Sequence, residues 1–161
     1  QTAVYTSQGI PFIFNGEELY RHKQGVKNSY NQPDAINAID WTYKTKYSDL
    51  VKYYSELAAI RHAHPGFCLG DPDLVREKLQ FIDVDDPCIV AFRISGLEGI
   101  DTAKSLTVVL NGSKKHRKIA IPEGRYIVLA ENGVADVDGI GAYTGDYCAV
   151  AATSATILAE M

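Results

Sequence analysis

The cadence of residues after Phe67 constrains the fold more than any other feature of the chain. Cys88, Val90, Phe92 and Ile94 alternate with Ile89, Ala91 and Arg93. A two-residue period of this kind makes a strand with one apolar face and one mixed face. Further strand-like runs cover residues 105–110, 118–121, 126–130, 147–152 and 155–159. Between them stand Asn111-Gly112, Pro122-Glu123-Gly124 and Glu131-Asn132-Gly133, turn residues that supply positive φ or a preset bend. The pattern predicts an antiparallel sandwich of about seven strands. Asn111-Gly112-Ser113 is also a formal glycosylation sequon, but in a tight hairpin it reads first as a turn.

The residues before Phe67 follow other periods. The apolar run 10–14, punctuated by Gly9 and Pro11, reads as one buried strand. Residues 16–47 are polar and irregular, yet Tyr20, Tyr30, Trp41 and Tyr43 argue for order. Ser48 and Asp49 then open a helix over 48–62, with Leu50, Tyr53 or Tyr54, Leu57 and Ile60 on its apolar side and His64-Pro65-Gly66 as its stop. The change of period predicts a boundary between Gly66 and Asp73, dividing the chain into 1–66 and 67–161. On its own, a chain of this kind is expected to keep the sandwich ordered and to expose the apolar side of the 48–62 helix.

Composition narrows the functional classes. With 161 residues, 46% hydrophobic and 22% charged, the chain can bury one good core or two small ones. The net charge of −4 provides no basic field, and Lys114-Lys115-His116-Arg117-Lys118 reads as a solvated turn, so no nucleic-acid partner is expected. No apolar run approaches the ~20 residues of a spanning helix, and no membrane partner is expected. Three cysteines, Cys68, Cys88 and Cys148, fit neither a disulfide framework nor a Cys-x-x-Cys site, and are expected to be buried thiols. His62-x-His64 lacks the spacing of a helical zinc site. Asp83-Val-Asp85-Asp86 and Asp136-Val-Asp138-Gly139 lack the closing glutamate of a calcium loop and read as turn caps. Gly139-Ile-Gly141-Ala-Tyr-Thr-Gly145 misses the phosphate-cradling spacing. No metal and no cofactor is therefore expected.

The loop 28–41 has a different chemistry. Vicinal sugar hydroxyls suit the paired oxygens of Asp and Asn, and the apolar face of a pyranose suits Tyr or Trp. The alternative is an ordered loop whose polar groups satisfy its own backbone. Adjacent Glu17 and Glu18 point in different directions and read as structural, since a glycosidase pair must converge from separate elements.

Gly9-x-Pro11, Gly16-Glu17-Glu18, Arg21-x-Lys23-Gln24-Gly25, Asn28-Ser29-Tyr30-Asn31, Asp34, Asn37, Asp40-Trp41 and then Leu57-x-x-x-Arg61-x-x-His64-Pro65-x-Phe67 together resemble the type I pullulanases. These are starch-debranching enzymes of the alpha-amylase superfamily, glycoside hydrolase family 13. The resemblance covers residues 2–67 closely, and residues 90–92, 108–111 and 151–159 more weakly resemble that family's carboxy-terminal β-sandwich. It implies that 1–66 is the last strand, substrate loop and helix of a TIM (β/α)8 barrel, and that 67–161 is the carboxy-terminal antiparallel sandwich. The family's catalytic Asp, Glu and Asp follow earlier barrel strands, so none is expected in this chain, which is expected to be inactive alone. That Gln1 opens the chain and the only methionine is Met161 agrees with a segment of a longer protein.

By the same resemblance Asp34 binds glucose in a donor subsite, and Asn37, Tyr30 and Asn28 shape that loop. Some relatives carry an arginine where this chain has Ala38, and others carry Ala at Gly66 and Arg at Cys68. Arg21 and Glu18 read as stiffening the loop base. The implied partners are an alpha-glucan oligosaccharide or polysaccharide with alpha-1,6 branches and the rest of the barrel. A free-standing glucan-binding or structural module is the competing reading.

Overall fold

Strand β2 (Ile89–Ser95) forms where the two-residue alternation predicts it. In the computed structural model, which describes residues 1–161, β2 pairs antiparallel with β1 (Leu79–Phe81) and with β3 (Ser105–Asn111). Next to β3 lies β7 (Ser154–Glu160), and next to β7 lies β4 (Arg117–Glu131). The last of these also carries β5 (Val134–Ala135) and β6 (Gly141–Val150), so seven strands make one antiparallel sheet.

Both faces of the β2–β3–β7 part are covered. Phe92, Ile94, Leu106, Val108, Ile157 and Ala159 on one face pack with Leu57 and Ile60 of the helix α4 (Ser48–Ala63), and with Phe67. Ile89, Ala91, Val109 and Leu158 on the other face pack with Ile119, Ile121, Cys148 and Val150 from the β4–β6 pair. The sheet thus folds over itself to supply its own second layer. That is why β3, covered on both faces, reads as a nearly unbroken apolar run rather than an alternation.

Several expectations are corrected. Residues 118–121 and 126–130 are not two strands, because β4 runs through Pro122-Glu123-Gly124 with a register slip between Ala120 and Gly124. Proline is tolerated in a sheet at such an irregularity, and the bulge bends the strand so that one half can fold over the other layer. Asn111-Gly112 is not a hairpin, since β3 and β4 do not pair, and it begins a crossing between layers. Buried Asn111 donates its amide to the carbonyls of Lys115 and Ala151 at 2.8 Å each, which puts the sequon's asparagine inside the fold. Of the three thiols only Cys148 is buried, whereas Cys68 and Cys88 are exposed.

Residues 10–14 form no strand, and Ile10 and Phe12 are 96% and 87% exposed. A strand needs backbone partners, and no other segment of this chain lies alongside to provide them. The expected exposure of the 48–62 helix is likewise wrong, because Leu57 and Ile60 are covered by the sheet. Short helices that the sequence did not suggest are α1 (Thr2–Thr6), α2 (Asp34–Asn37), α3 (Tyr43–Lys46) and α5 (Pro72–Lys78). The last begins with Pro72 at its first turn, and the Asp71 carboxylate accepts from the Asp73 N–H at 2.8 Å.

Polar contacts tie the amino-terminal segment to the rest. Arg61 donates to the carbonyls of Tyr5, Ser7 and Gly9 at 2.7, 2.6 and 2.7 Å. Gln8 donates to Gly66 O at 2.7 Å and accepts from Leu69 N–H at 3.0 Å. Buried Gly66 itself has no room for a side chain, because a Cβ there would stand 2.8 Å from Leu97 Cδ1, 2.9 Å from Leu106 Cδ1 and 3.2 Å from Asp101 Oδ2. Gly66→Ala is expected to lower stability by about 1–3 kcal/mol through overpacking, read from the urea midpoint. A wild-type midpoint would show that Leu97 and Leu106 move aside freely.

Candidate functional site

The loop 16–47 is built on a left-handed turn. Gly16 sits at φ +95°, and a Cβ there would meet Arg21 Cδ at 2.7 Å, so any other residue would be strained on both counts. Arg21 lies across this glycine and donates to the carbonyls of Asn15, at 3.1 Å, and Asn37. Its guanidinium also stands 5.3 Å from the centroid of the Phe14 ring. Glu17 accepts from Phe14 N–H at 3.2 Å and Glu18 from Gly16 N–H at 3.1 Å, so each carboxylate caps its own backbone. Leu19 is buried and anchors the turn.

Asn37, at the end of α2, braces the distal part. Its amide donates to the carbonyls of Ser29 and Gln32 at 2.7 Å each, and its oxygen accepts from Lys23 Nζ at 2.7 Å. Gln24 adds a bond to Ala35 O at 3.1 Å. Partial desolvation, and then the nearby Arg21 charge, lower the pKa of Lys23. Asp40 Oδ1 accepts from Thr42 N–H at 3.0 Å and from the Thr42 hydroxyl at 2.6 Å. Those bonds, with Lys46 nearby, hold its carboxyl below the usual range.

The remaining expected binding residues are exposed. Asp34 begins α2 with its carboxylate in no hydrogen bond or ion pair, and Asn28 is likewise unpaired. Tyr30 is 83% exposed, and its hydroxyl has no partner. The structure therefore separates the four residues into three with unpartnered polar groups, Asn28, Tyr30 and Asp34, and one that holds the loop together, Asn37.

Elsewhere in the loop Tyr20 and Tyr43 meet Tyr47 edge to face, with centroids 5.0 and 5.4 Å apart, and Lys46 Nζ stands 5.1 Å from the Tyr43 and Tyr47 rings. A cleft of about 230 Å³ opens between Leu19, Arg21, Ile36, Ile39 and Tyr43. Sequence reasoning passed over Tyr47 and Lys46 here. The four-residue spacing of Tyr43 and Tyr47 across the start of α4 was the available signal. A rigid loop presenting a free carboxylate, an amide and a phenol can bind a neutral polyol by hydrogen bonds and stacking.

Comparison with known proteins gives the architecture a context. Residues 75–133 match the family described as "Pullulanase, all-beta domain". A pullulanase of Bacillus subtilis (strain 168) is 34% identical over 110 residues, covering 68% of this chain and 15% of that protein. The structure of a pullulanase from Bacillus acidopullulyticus superposes with a TM-score of 0.92 at 31% identity, covering 99% of this chain and 19% of that one. A pullulanase from Anoxybacillus sp. LM18-11, solved in complex with maltotetraose, superposes with a TM-score of 0.89 at 28% identity, covering 99% and 22%. The chain thus spans about a fifth or less of each relative's length. An antiparallel β-domain of this topology, matched in sequence and superposed over nearly its whole length, makes the chain a homologue of the pullulanases that carries their all-β domain.

Proposed function

We propose that the chain forms the last β/α unit, residues 1–66, and the carboxy-terminal β-sandwich, residues 67–161, of a debranching hydrolase that cleaves alpha-1,6 linkages in pullulan, starch or glycogen-type glucans. The observation that carries the proposal is the extended run 10–14, whose Ile10 and Phe12 side chains stand in solvent. Bare apolar residues with unpaired backbone, next to an ordered polar loop, are what a barrel strand looks like without its neighbours. In the assembled barrel this run is the eighth strand, and Asn28, Tyr30 and Asp34 reach the substrate from its loop while Asn37 holds them in place. Maltotetraose in the Anoxybacillus relative supports an alpha-glucan as the ligand.

The chemistry is a retaining displacement through a glycosyl-enzyme intermediate, its nucleophile and acid/base carried by other barrel strands. The test compares the 161-residue chain with the full-length gene product on pullulan. Reducing ends should appear only with the full-length protein, whose remaining sequence should hold barrel strands ending in the catalytic Asp, Glu and Asp. Hydrolysis by the 161 residues alone would overturn the division of labour. A gene without those strands would leave a non-catalytic glucan-binding module instead.

A further inference from the structure

A second cleft, of about 260 Å³, opens on the sheet at β4, β6 and β7, well away in sequence from the loop. Val128 and Leu158 form part of its apolar lining, Tyr143 and Tyr147 add two aromatic rings, and Glu131 and Thr156 add polar groups. The rings are held in place. Tyr143 stacks on buried Tyr126 with centroids 5.6 Å apart and an interplanar angle of 27°, and its hydroxyl donates to Tyr147 O. Tyr147 remains 39% exposed, with Lys118 Nζ 3.9 Å from its ring centroid.

Glu131 is the unexplained member of this group. It is half-buried beside an apolar surface, yet its carboxylate takes part in no hydrogen bond and no ion pair. Its oxygens remain open to solvent and so keep their full capacity to accept from a ligand. Buried Thr156 donates its hydroxyl to Ala149 O at 3.0 Å and so forms part of the cleft floor. Behind the cleft, burial pushes the Cys148 thiol up to about 12, and the Glu131 charge adds to the effect, so the sulfur stays neutral.

We propose that this cleft is a second glucan-binding site, taking one pyranose ring of a maltooligosaccharide against Tyr147, with vicinal hydroxyls donating to Glu131. The inference rests on the reading of the chain as part of an alpha-glucan hydrolase, and assigns a site that this reading does not require. The occupant follows from the chemistry. The Lys118 ammonium over the Tyr147 ring repels a cationic ligand, while Glu131 repels an anionic one. A neutral polyol with an apolar face can donate to the Glu131 carboxylate and lie against the aromatic ring together. The volume lies just below the ~300–1,000 Å³ of drug-sized sites, which suits a single ring.

The test is a titration of the 15N-labelled 161-residue chain with maltotriose, followed residue by residue by NMR. Saturable shifts at the amides of Glu131, Tyr143 and Tyr147 are expected. Tyr147→Ala should weaken them by about 3- to 10-fold. Glu131→Gln, which keeps the shape and removes the charge, should weaken them as well, and covers the case in which the tyrosine variant folds poorly. Asp34→Ala should leave them unchanged. Shifts confined to residues 28–41 would overturn this inference and leave the loop reading standing. Cleft shifts without loop shifts would do the reverse, and a chain with no cleft shifts at all would overturn the second site. Cleft shifts that ignore both Tyr147→Ala and Glu131→Gln would also sink it.

Discussion

Asp101→Ala should cost about 3–5 kcal/mol of folding free energy, the largest loss expected from a single polar residue in the chain. The side chain of Asp101 is wholly buried, and it joins the end of α4 to the sheet. Oδ1 meets His64 Nδ1 at 2.8 Å and accepts from Ala103 N–H at 2.9 Å, while Oδ2 accepts from Gly66 N–H at 3.0 Å. Deleting the carboxylate would leave a buried imidazole and two backbone donors without partners just where Phe67 enters the core. Urea unfolding of the full 161-residue chain reads the effect directly. A loss under about 1 kcal/mol would mean that water replaces the carboxylate at little cost.

The same residue sets a pH dependence. Burial raises the Asp101 carboxyl, but the hydrogen bonds from Ala103 N–H, His64 and Gly66 N–H outweigh it and hold the group below its usual range. An unfolded aspartate titrates near about 3.9, so this contribution to stability is fully present above that pH. It is lost as the pH falls through the lower native value. In Asp101→Asn the contribution is absent at every pH. Plots of stability against pH for wild type and variant should therefore run apart at neutral pH and converge only below about pH 4. Parallel curves down to acid would assign the acid sensitivity to other groups.

The second large effect concerns binding and separates two residues that the sequence places in one loop. In the catalytically complete protein, Asp34→Ala should weaken alpha-glucan binding by about 10- to 100-fold, the loss of one or two hydrogen bonds to a charged acceptor. Thermal stability should change little, because the Asp34 carboxylate makes no hydrogen bond or ion pair within the chain and its carbonyl bond to Ala38 N–H is kept in the variant. Asn37→Ala should weaken binding too, but by loosening the loop, since its side chain joins Lys23, Ser29 and Gln32. Faster proteolysis between residues 23 and 37 should accompany it. Equal proteolysis of both variants, or unchanged binding by Asp34→Ala, would remove Asp34 from the proposed subsite.

Much of the architecture was written in short-range patterns. The 3.6-residue apolar spacing and the His64-Pro65 stop located α4 to within a residue, and the two-residue alternation located β2. Asn132-Gly133 sits in the β4–β5 connection as its turn chemistry demands. Glu17 and Glu18 cap backbone, as adjacent carboxylates should. Each of these depends only on residues a few positions apart. The order of strands does not. Pro122-Glu123-Gly124 has the composition of a turn and acts as a bulge, because β6 pairs with β4 both before it, at residues 117–120, and after it, at residues 124–128. Asn111-Gly112 has the composition of a hairpin and acts as a crossing, because β7 occupies the place beside β3 that β4 would need.

By itself, the sequence determined the helical type of α4, the strand type of β2, the antiparallel character of the second half and a loop rich in polar and aromatic side chains, because periodicity and turn chemistry are local properties of the chain. Only the tertiary structure decided which polar groups of that loop are free. Asn37 and Asp34 are equally polar and three residues apart, but one amide lies within 2.7 Å of three partners and the other residue's carboxylate has none. It also decided that the helix covers the sheet rather than standing bare, and that Glu131 is left unpaired beside two tyrosines. Such facts arise from segments brought together across the fold, where hydrogen-bond saturation and burial are set by neighbours that are remote in sequence.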